Sequence, residues 1–256
     1  MRRVLIATGL VALLGPVGAR AQAAPAGAQA AIPLVPLSAS AGSDLLERSR
    51  ARADFLPLIE HFVTQANLAY CGVASAVMAL NSLAVPAPPA AGYGPYRFWT
   101  QDNLFGTAAA QATVAPETVA RRGMTLAQLA GLLSQPGVTV QRWHGDQLSL
   151  PQLRGLLRQS LADPSDRLLV NYHRSALGQQ GGGHISPLAA YDGRGDRVLL
   201  LDVARYRYPS VWVPIPALWQ AIRMVDPDSG LSRGLVRLRW NGTPPPPPGA
   251  TPRSAP

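Results

Sequence analysis

The stretch "HISPLAAYDGRGDRVLLLDV", residues 184–203, decides the fold. Two short, almost wholly apolar runs flank "DGRGD", and two glycines between acidic residues mark a reversal of the chain, so the segment reads as a β-hairpin. Each run carries one polar exception. His184 opens the first, directly after "GQQGGG", and Asp202 interrupts "VLLLDV" in the second. A polar group in a strand that would otherwise be entirely buried needs a partner. If the loop holds an odd number of residues, centred near Gly193 or Arg194, His184 and Asp202 share a face, directly opposite or on a diagonal. An even loop would send them to opposite faces. Paired, the carboxylate would fix the imidazole tautomer and stabilise its protonated form. A structural hydrogen bond without chemistry is the alternative reading of the same pair.

Outward from the hairpin, "RLLVNY" before it and "GLVRLRW" near residue 240 read as further strands, with a helix, "PALWQAIRMV", between hairpin and last strand. The preceding half is helical. Asp44 and Glu47 stand at capping-box spacing in "SDLLERSRAR", as do Thr125 with Gln128 and Ser149 with Gln152, each ahead of an apolar run. "CGVASAVMALNSLAV" has Val73, Val77, Leu80 and Ala84 at helical spacing and stops at "PAPP". Helices first and sheet later predict an α+β fold, a helical amino-terminal half packed on a carboxyl-terminal antiparallel sheet. The segment between Pro86 and Pro116, with Tyr93, Tyr96, Phe98, Trp99 and Phe105, is too aromatic for a passive loop and reads as core packing or the wall of a cleft.

The chain's one cysteine, Cys71, begins the helix that stops at "PAPP". There the macrodipole and free backbone N–H groups favour the thiolate, and an imidazolium nearby would favour it further. Without a base, a small buried hydrophobe is the commoner fate of such a residue. Of the four histidines only His184 has a setting that suggests a base; His61, His144 and His173 read as ordinary hydrogen-bonded or exposed side chains. The backbone N–H of Cys71, with the side chain of Gln65, could meet an oxyanion. Cys71, His184 and Asp202 have no CxxC or HxxxH spacing that would suggest a metal site.

The composition sets limits. At 256 residues with 47% apolar content the chain holds one domain with a sizeable core. All 23 basic residues are arginine, which excludes Schiff-base and lysine-nucleophile chemistry. The net charge of +9 falls to +6 without Arg2, Arg3 and Arg20, and the remaining arginines are scattered, so a solvated basic surface is expected rather than a nucleic-acid partner. Residues 1–23 have the layout of a secretory signal, from Arg2 and Arg3 through an apolar run to "ARAQA". Export to the periplasm is expected, with membrane contact only through that segment, and an unpaired thiol in an oxidising compartment needs a reason. Residues 24–42 read as a linker, 43–241 as the catalytic domain, and "GTPPPPPGATPRSAP" from 242 as a proline-rich tail.

"FVTQANLAYCGVASAVMALNSL", "PYRFWTQDNLF", "VNY" with "GQQGGGHISPLAAYD", and "LLLDVARYRYPSVWV" together resemble the phytochelatin synthases, papain-like cysteine transpeptidases, in order and spacing over most of residues 62–239. The resemblance implies a papain-like fold with Cys71 as nucleophile, His184 as general base and acid, Asp202 as orienting residue and Gln65 in the oxyanion hole. It implies glutathione as substrate, cleaved at its Cys–Gly bond through a γ-glutamylcysteinyl thioester that water or a second glutathione resolves. Asp226 and Arg233 match residues that hold the γ-glutamyl amino and carboxylate groups. No tightly bound cofactor is implied; heavy-metal ions such as Cd and Zn would arrive as glutathione thiolate complexes. The chain lacks the cysteine-rich carboxyl-terminal region of eukaryotic members and resembles the short bacterial type, closer to a glutathione hydrolase. A papain-like peptidase on other small peptides is the alternative enzyme, and a non-catalytic binder of metal thiolates the alternative from another class.

Overall fold

A computed structural model describes residues 32–242. In chain order its elements are β1 (Val35–Pro36), α1 (Ser40–Arg48), α2 (Phe55–Glu60), α3 (Cys71–Ser82), α4 (Ala108–Gln111), α5 (Pro116–Arg122), α6 (Leu126–Leu133), β2 (Val138–His144), α7 (Leu150–Ser160), β3 (Asp166–His173), β4 (Gly183–Asp192), β5 (Arg197–Leu200), β6 (Val211–Pro214), α8 (Ile215–Arg223) and β7 (Gly234–Trp240). The strands form an antiparallel sheet of order β1-β6-β5-β4-β3-β7-β2. The class is α+β.

Both faces of the sheet are covered, which explains why its strands read as continuous apolar runs rather than as alternating ones. Leu169, Ile185, Ala189, Val236 and Leu238 pack with α2, α3 and α6 in one core. Their neighbours in sequence, Leu168, Val170, Leu188 and Leu235, pack with α7 and α8 in the other. Helix α3 is buried at every position from Cys71 to Leu80, and so runs through the first core rather than along its surface. Ser75 ties it to the sheet: its hydroxyl donates to Cys71 O at 2.7 Å and Ile185 O at 3.2 Å. Gly72 permits the close approach, because a Cβ there would meet Met124 and Ile185.

The hairpin closes differently from the odd loop considered above. Asp192 faces Arg197, leaving four residues in the turn, an even number that alone would put His184 and Asp202 on opposite faces. A β-bulge restores the parity. Ala190 faces Leu199 but Leu188 faces Leu200, so Ala189 is an extra residue on β4. The shifted register persists, with Leu201 N donating to Pro187 O at 3.0 Å, and returns the two polar residues to one face.

Several boundaries also differ. Part of the linker expected over 24–42 belongs to the fold: β1 pairs with β6, Leu37 N donates to Ser210 O, and α1 starts at Ser40. Asp44 and Glu47 therefore lie inside α1 and cap nothing, whereas both other capping boxes form, at Thr125 and Ser149. The sheet is not confined to the carboxyl-terminal half, since β1 joins it at β6, and it begins before the run at Asp166, since β2 pairs along its whole length with β7. In the aromatic segment Trp99 is core, its indole donating to Val85 O, while Tyr93 and Tyr96 are exposed. Most of the proposed tail and the expected signal segment lie outside the described residues.

Candidate active site

Cys71 is the first residue of α3, and the start of β4 brings His184 beside it. His184 is 5% exposed, its ring set edge-on to Tyr172 on the neighbouring strand β3. Nε2 donates to Asp202 Oδ1 at 2.8 Å, leaving Nδ1 as the ring nitrogen available to the thiol. Burial pushes the Cys71 thiol up, but the charge of His184, a hydrogen bond with its ring and the backbone N–H groups of Ile185 and Gly72 outweigh burial, and the net direction is down. His184 moves the opposite way. Burial lowers it, yet the Cys71 thiolate and Asp202 carry it above the ordinary imidazole value. Both shifts run in the direction that favours a thiolate–imidazolium pair, in which the proton of the nucleophile passes to the group that can return it.

Asp202 has no exposed surface and would be driven up by burial, but it is held well below the carboxylate range by hydrogen bonds and charge from His184 and Arg174. Arg174 grips it with both arms, NH1 to Oδ2 at 2.7 Å and NH2 to Oδ1 at 3.0 Å, and Ala204 N donates to Oδ1 at 2.9 Å. The guanidinium is itself fixed by Gln179 Oε1 at 2.8 Å and lies over the Tyr208 ring. Such bidentate, charge-assisted bonding keeps the acid ionised in a site that excludes water. Arg174 escaped the sequence reading because its charge was counted with the solvated arginines. Its position at the end of the buried run "LLVNY" was the available signal.

Arg233 and Asp226 line one pocket with Cys71, His184, Asn171 and Arg122. They face each other across a small hairpin closed by the Val225–Ser232 bridge, with Arg233 NH2 3.7 Å from Asp226 Oδ1. Arg233 NH1 donates to Asn171 Oδ1 at 2.8 Å, while Arg233 Nε and Asn171 Nδ2 are buried without a partner. Buried donors left unpaired beside a pocket suit a polar ligand. Gly183 is required by this packing, because a Cβ at that position would run into the Arg233 guanidinium. The pocket thus offers two carboxylates, Asp226 and Asp228, and two guanidinium groups, Arg122 and Arg233, next to a thiol, a set fit for an amino acid zwitterion.

Gln65 lines a second pocket, on the other side of His184, with Arg174, Gly182, Tyr206 and Arg207. Its Nε2 donates to Asn67 O at 2.7 Å, so one amide hydrogen is used locally and the second remains free. Cys71 is not among the residues lining that pocket. His144 and His173 are engaged elsewhere, with Ser232 O and Ser175 Oγ. Among the described residues no three His, Cys, Asp or Glu side chains are grouped to hold a metal ion, and no helix is long and apolar enough to cross a membrane.

The family model for phytochelatin synthase matches residues 28–235. The chain is 34% identical over 182 residues to glutathione gamma-glutamylcysteinyltransferase 3 of Lotus japonicus, covering 71% of this chain and 36% of that protein. It is 32% identical to glutathione gamma-glutamylcysteinyltransferase 2 of Arabidopsis thaliana over 72% of this chain and 39% of that one. Against the Schizosaccharomyces pombe glutathione gamma-glutamylcysteinyltransferase it is 27% identical, covering 78% and 47%. The chain therefore spans less than half the length of these curated relatives. The matched region holds the thiol, the imidazole and the buried acid, and on this match the chain belongs to the phytochelatin synthase family.

Proposed function

We propose that the protein is a cysteine acyltransferase or hydrolase that cleaves the Cys–Gly bond of glutathione. The observation that carries the reading is the Cys71–His184–Asp202 constellation beside the Arg233–Asp226 pocket, in a chain of this family. The relatives' names specify γ-glutamylcysteinyl transfer from glutathione. The order of a helix-borne cysteine, a strand-borne histidine and an acid just beyond the next strand supports kinship with papain-like peptidases.

In the proposed reaction Arg233 takes the γ-glutamyl α-carboxylate and Asp226 its ammonium, which presents the Cys–Gly carbonyl to Cys71. The thiolate attacks the carbonyl carbon and an Sγ–C bond forms. Negative charge on the carbonyl oxygen meets the Cys71 backbone N–H and the free amide hydrogen of Gln65, a turn of that side chain being required. His184 then protonates the departing nitrogen as the C–N bond breaks, and glycine leaves. Water or the amino group of a second glutathione next attacks the γ-glutamylcysteinyl thioester, its proton passing to His184, and the Sγ–C bond breaks to release the acyl product and restore the Cys71 thiolate. Asp202 remains ionised throughout, held by Arg174, and steadies the imidazolium. Metal enters the proposal only within the substrate, as glutathione thiolates, and export rests on the pattern of residues 1–23.

Incubation with glutathione is expected to release free glycine, and rapid quenching followed by intact mass measurement to show γ-glutamylcysteine on Cys71. Cys71→Ala should lose both while keeping its circular dichroism. Folded protein that releases no glycine and carries no adduct would sink the proposal. An α-linked Glu-Cys-Gly peptide cleaved as fast as glutathione would favour the general peptidase instead.

A further inference from the structure

The structure collects arginines that the sequence scatters. Away from the active site, Arg48 at the end of α1, Arg50 just beyond it, Arg158 on α7 and Arg194 in the β4–β5 turn line one cavity of about 330 Å³, floored by Tyr191 and Asp192. None of these residues lines the Cys71 pocket. Four guanidinium groups from three separate stretches of chain thus share a concavity with one carboxylate.

That carboxylate is already used. Asp192 is 2% exposed and accepts from Arg48 Nε at 3.2 Å and NH2 at 2.8 Å, and from Gly195 N at 3.0 Å. Its role is to hold Arg48 and the turn in place. The rim is fixed too, since Tyr191 N donates to Ala51 O at 2.7 Å and joins the segment after α1 to β4. Among the described residues the side chains of Arg50, Arg158 and Arg194 have no hydrogen-bond or ion-pair partner, and all three are exposed. The cavity therefore carries an excess of three positive charges on a built frame. Like charges gathered in a concave surface repel one another and focus an attractive field for an anion. Guanidinium forks match the oxygens of a phosphate group better than they match a single carboxylate.

We propose that this cavity, lined by Arg48, Arg50, Arg158 and Arg194, binds a phosphate ester. The site is separate from the thiol chemistry, and its ligand is recognised by phosphate rather than by a thiol or a γ-glutamyl group. A soluble phosphomonoester and a phospholipid headgroup present the same chemistry.

The full-length protein is titrated calorimetrically with glycerol 3-phosphate and, separately, sedimented with phosphatidylcholine vesicles containing one quarter phosphatidylglycerol. R158A/R194A alters two exposed side chains without stable partners, and R97A/R142A removes equal charge elsewhere on the surface. Saturable binding of either probe that falls at least tenfold in R158A/R194A and less than twofold in R97A/R142A is the expected result, with unliganded melting unchanged. Response to glycerol 3-phosphate assigns a soluble ligand, and response to vesicles alone assigns a membrane headgroup. No saturable binding of either probe overturns the proposal, as does an equal loss in both double variants, which would reduce the cavity to part of a general basic surface.

Discussion

Strand β3 is bracketed by two buried arginines, each paired with a buried aspartate, and the two pairs end in opposite states. Beyond its carboxyl end Arg174 gives both arms to Asp202, every acceptor oxygen is used, and the acid is held down. At its amino end Arg167 divides itself among Ser82, Pro164 O and Asp166 O and reaches Asp54 only at 3.2 Å. Asp54 Oδ2 has no partner, and burial drives that acid well above its ordinary range. The same residue types at the same depth thus give an ionised group at one end and a reluctant one at the other. What decides is the partners: Asp202 receives hydrogen bonds and charge from both His184 and Arg174, whereas Asp54 has one weakly shared cation and stands near the carboxylates of Asp166 and Asp163.

The widest separation between the two ends is expected from Asp202→Asn and Asp54→Asn. At the active end the imidazolium loses its counter-charge and glycine release from glutathione should fall by about 10²- to 10⁴-fold, whereas Asp54→Asn should leave turnover within about twofold. Comparable losses from both would erase the distinction. Arg174→Ala comes next: Asp202 would lie buried with one cation fewer, at a cost of about 3 kcal/mol in urea unfolding, with kcat reduced and the profile against pH displaced. Arg174→Lys should recover only part of the rate, because a point charge cannot hold both oxygens.

Stability against pH sharpens the contrast further, since the signs are opposite. The folded value of Asp202 lies below the ordinary carboxylate value of about 3.9, so its stabilisation is present above that value and is lost as pH falls through the folded value. Asp54 lies above it, so its contribution is present below about 3.9 and is lost as pH rises through the folded value. Unfolding from pH 4 to 8 should therefore show Asp54→Asn losing part of the decline in stability with rising pH that wild type carries. Within the pair itself, kcat/KM should trace a bell whose acid limb lies below the ordinary thiol value near 8.5 and whose alkaline limb lies above the imidazole value near 6.5. The smallest effect belongs to the pocket between Arg233 and Asp226. Gly183→Ala should push Arg233 aside and raise KM for glutathione about tenfold, with a lesser change in kcat.

Much of the site was legible because its residues violate their surroundings. His184 and Asp202 stand out in apolar strands, and Cys71 starts a helix whose apolar spacing and proline stop are plain in the sequence. Capping boxes at Thr125 and Ser149 announced their helices through local hydrogen bonds alone. Arg174 was hidden because burial of an arginine depends on Asp202, 28 residues away. Strand β2 was missed even though Val138 and Val140 alternate with exposed Thr139 and Gln141, since Arg142 breaks the period midway. β1 is two residues long and exists only because β6 offers it an edge.

The bulge at Ala189 makes the length of a distant turn a chemical variable. One residue added to or removed from the Asp192–Arg197 connection must be matched by loss of the bulge, or the imidazole and its acid part company. Relatives that differ in this turn by a single residue should therefore differ at Ala189 as well, two compensating steps on one hairpin that are tolerated only together.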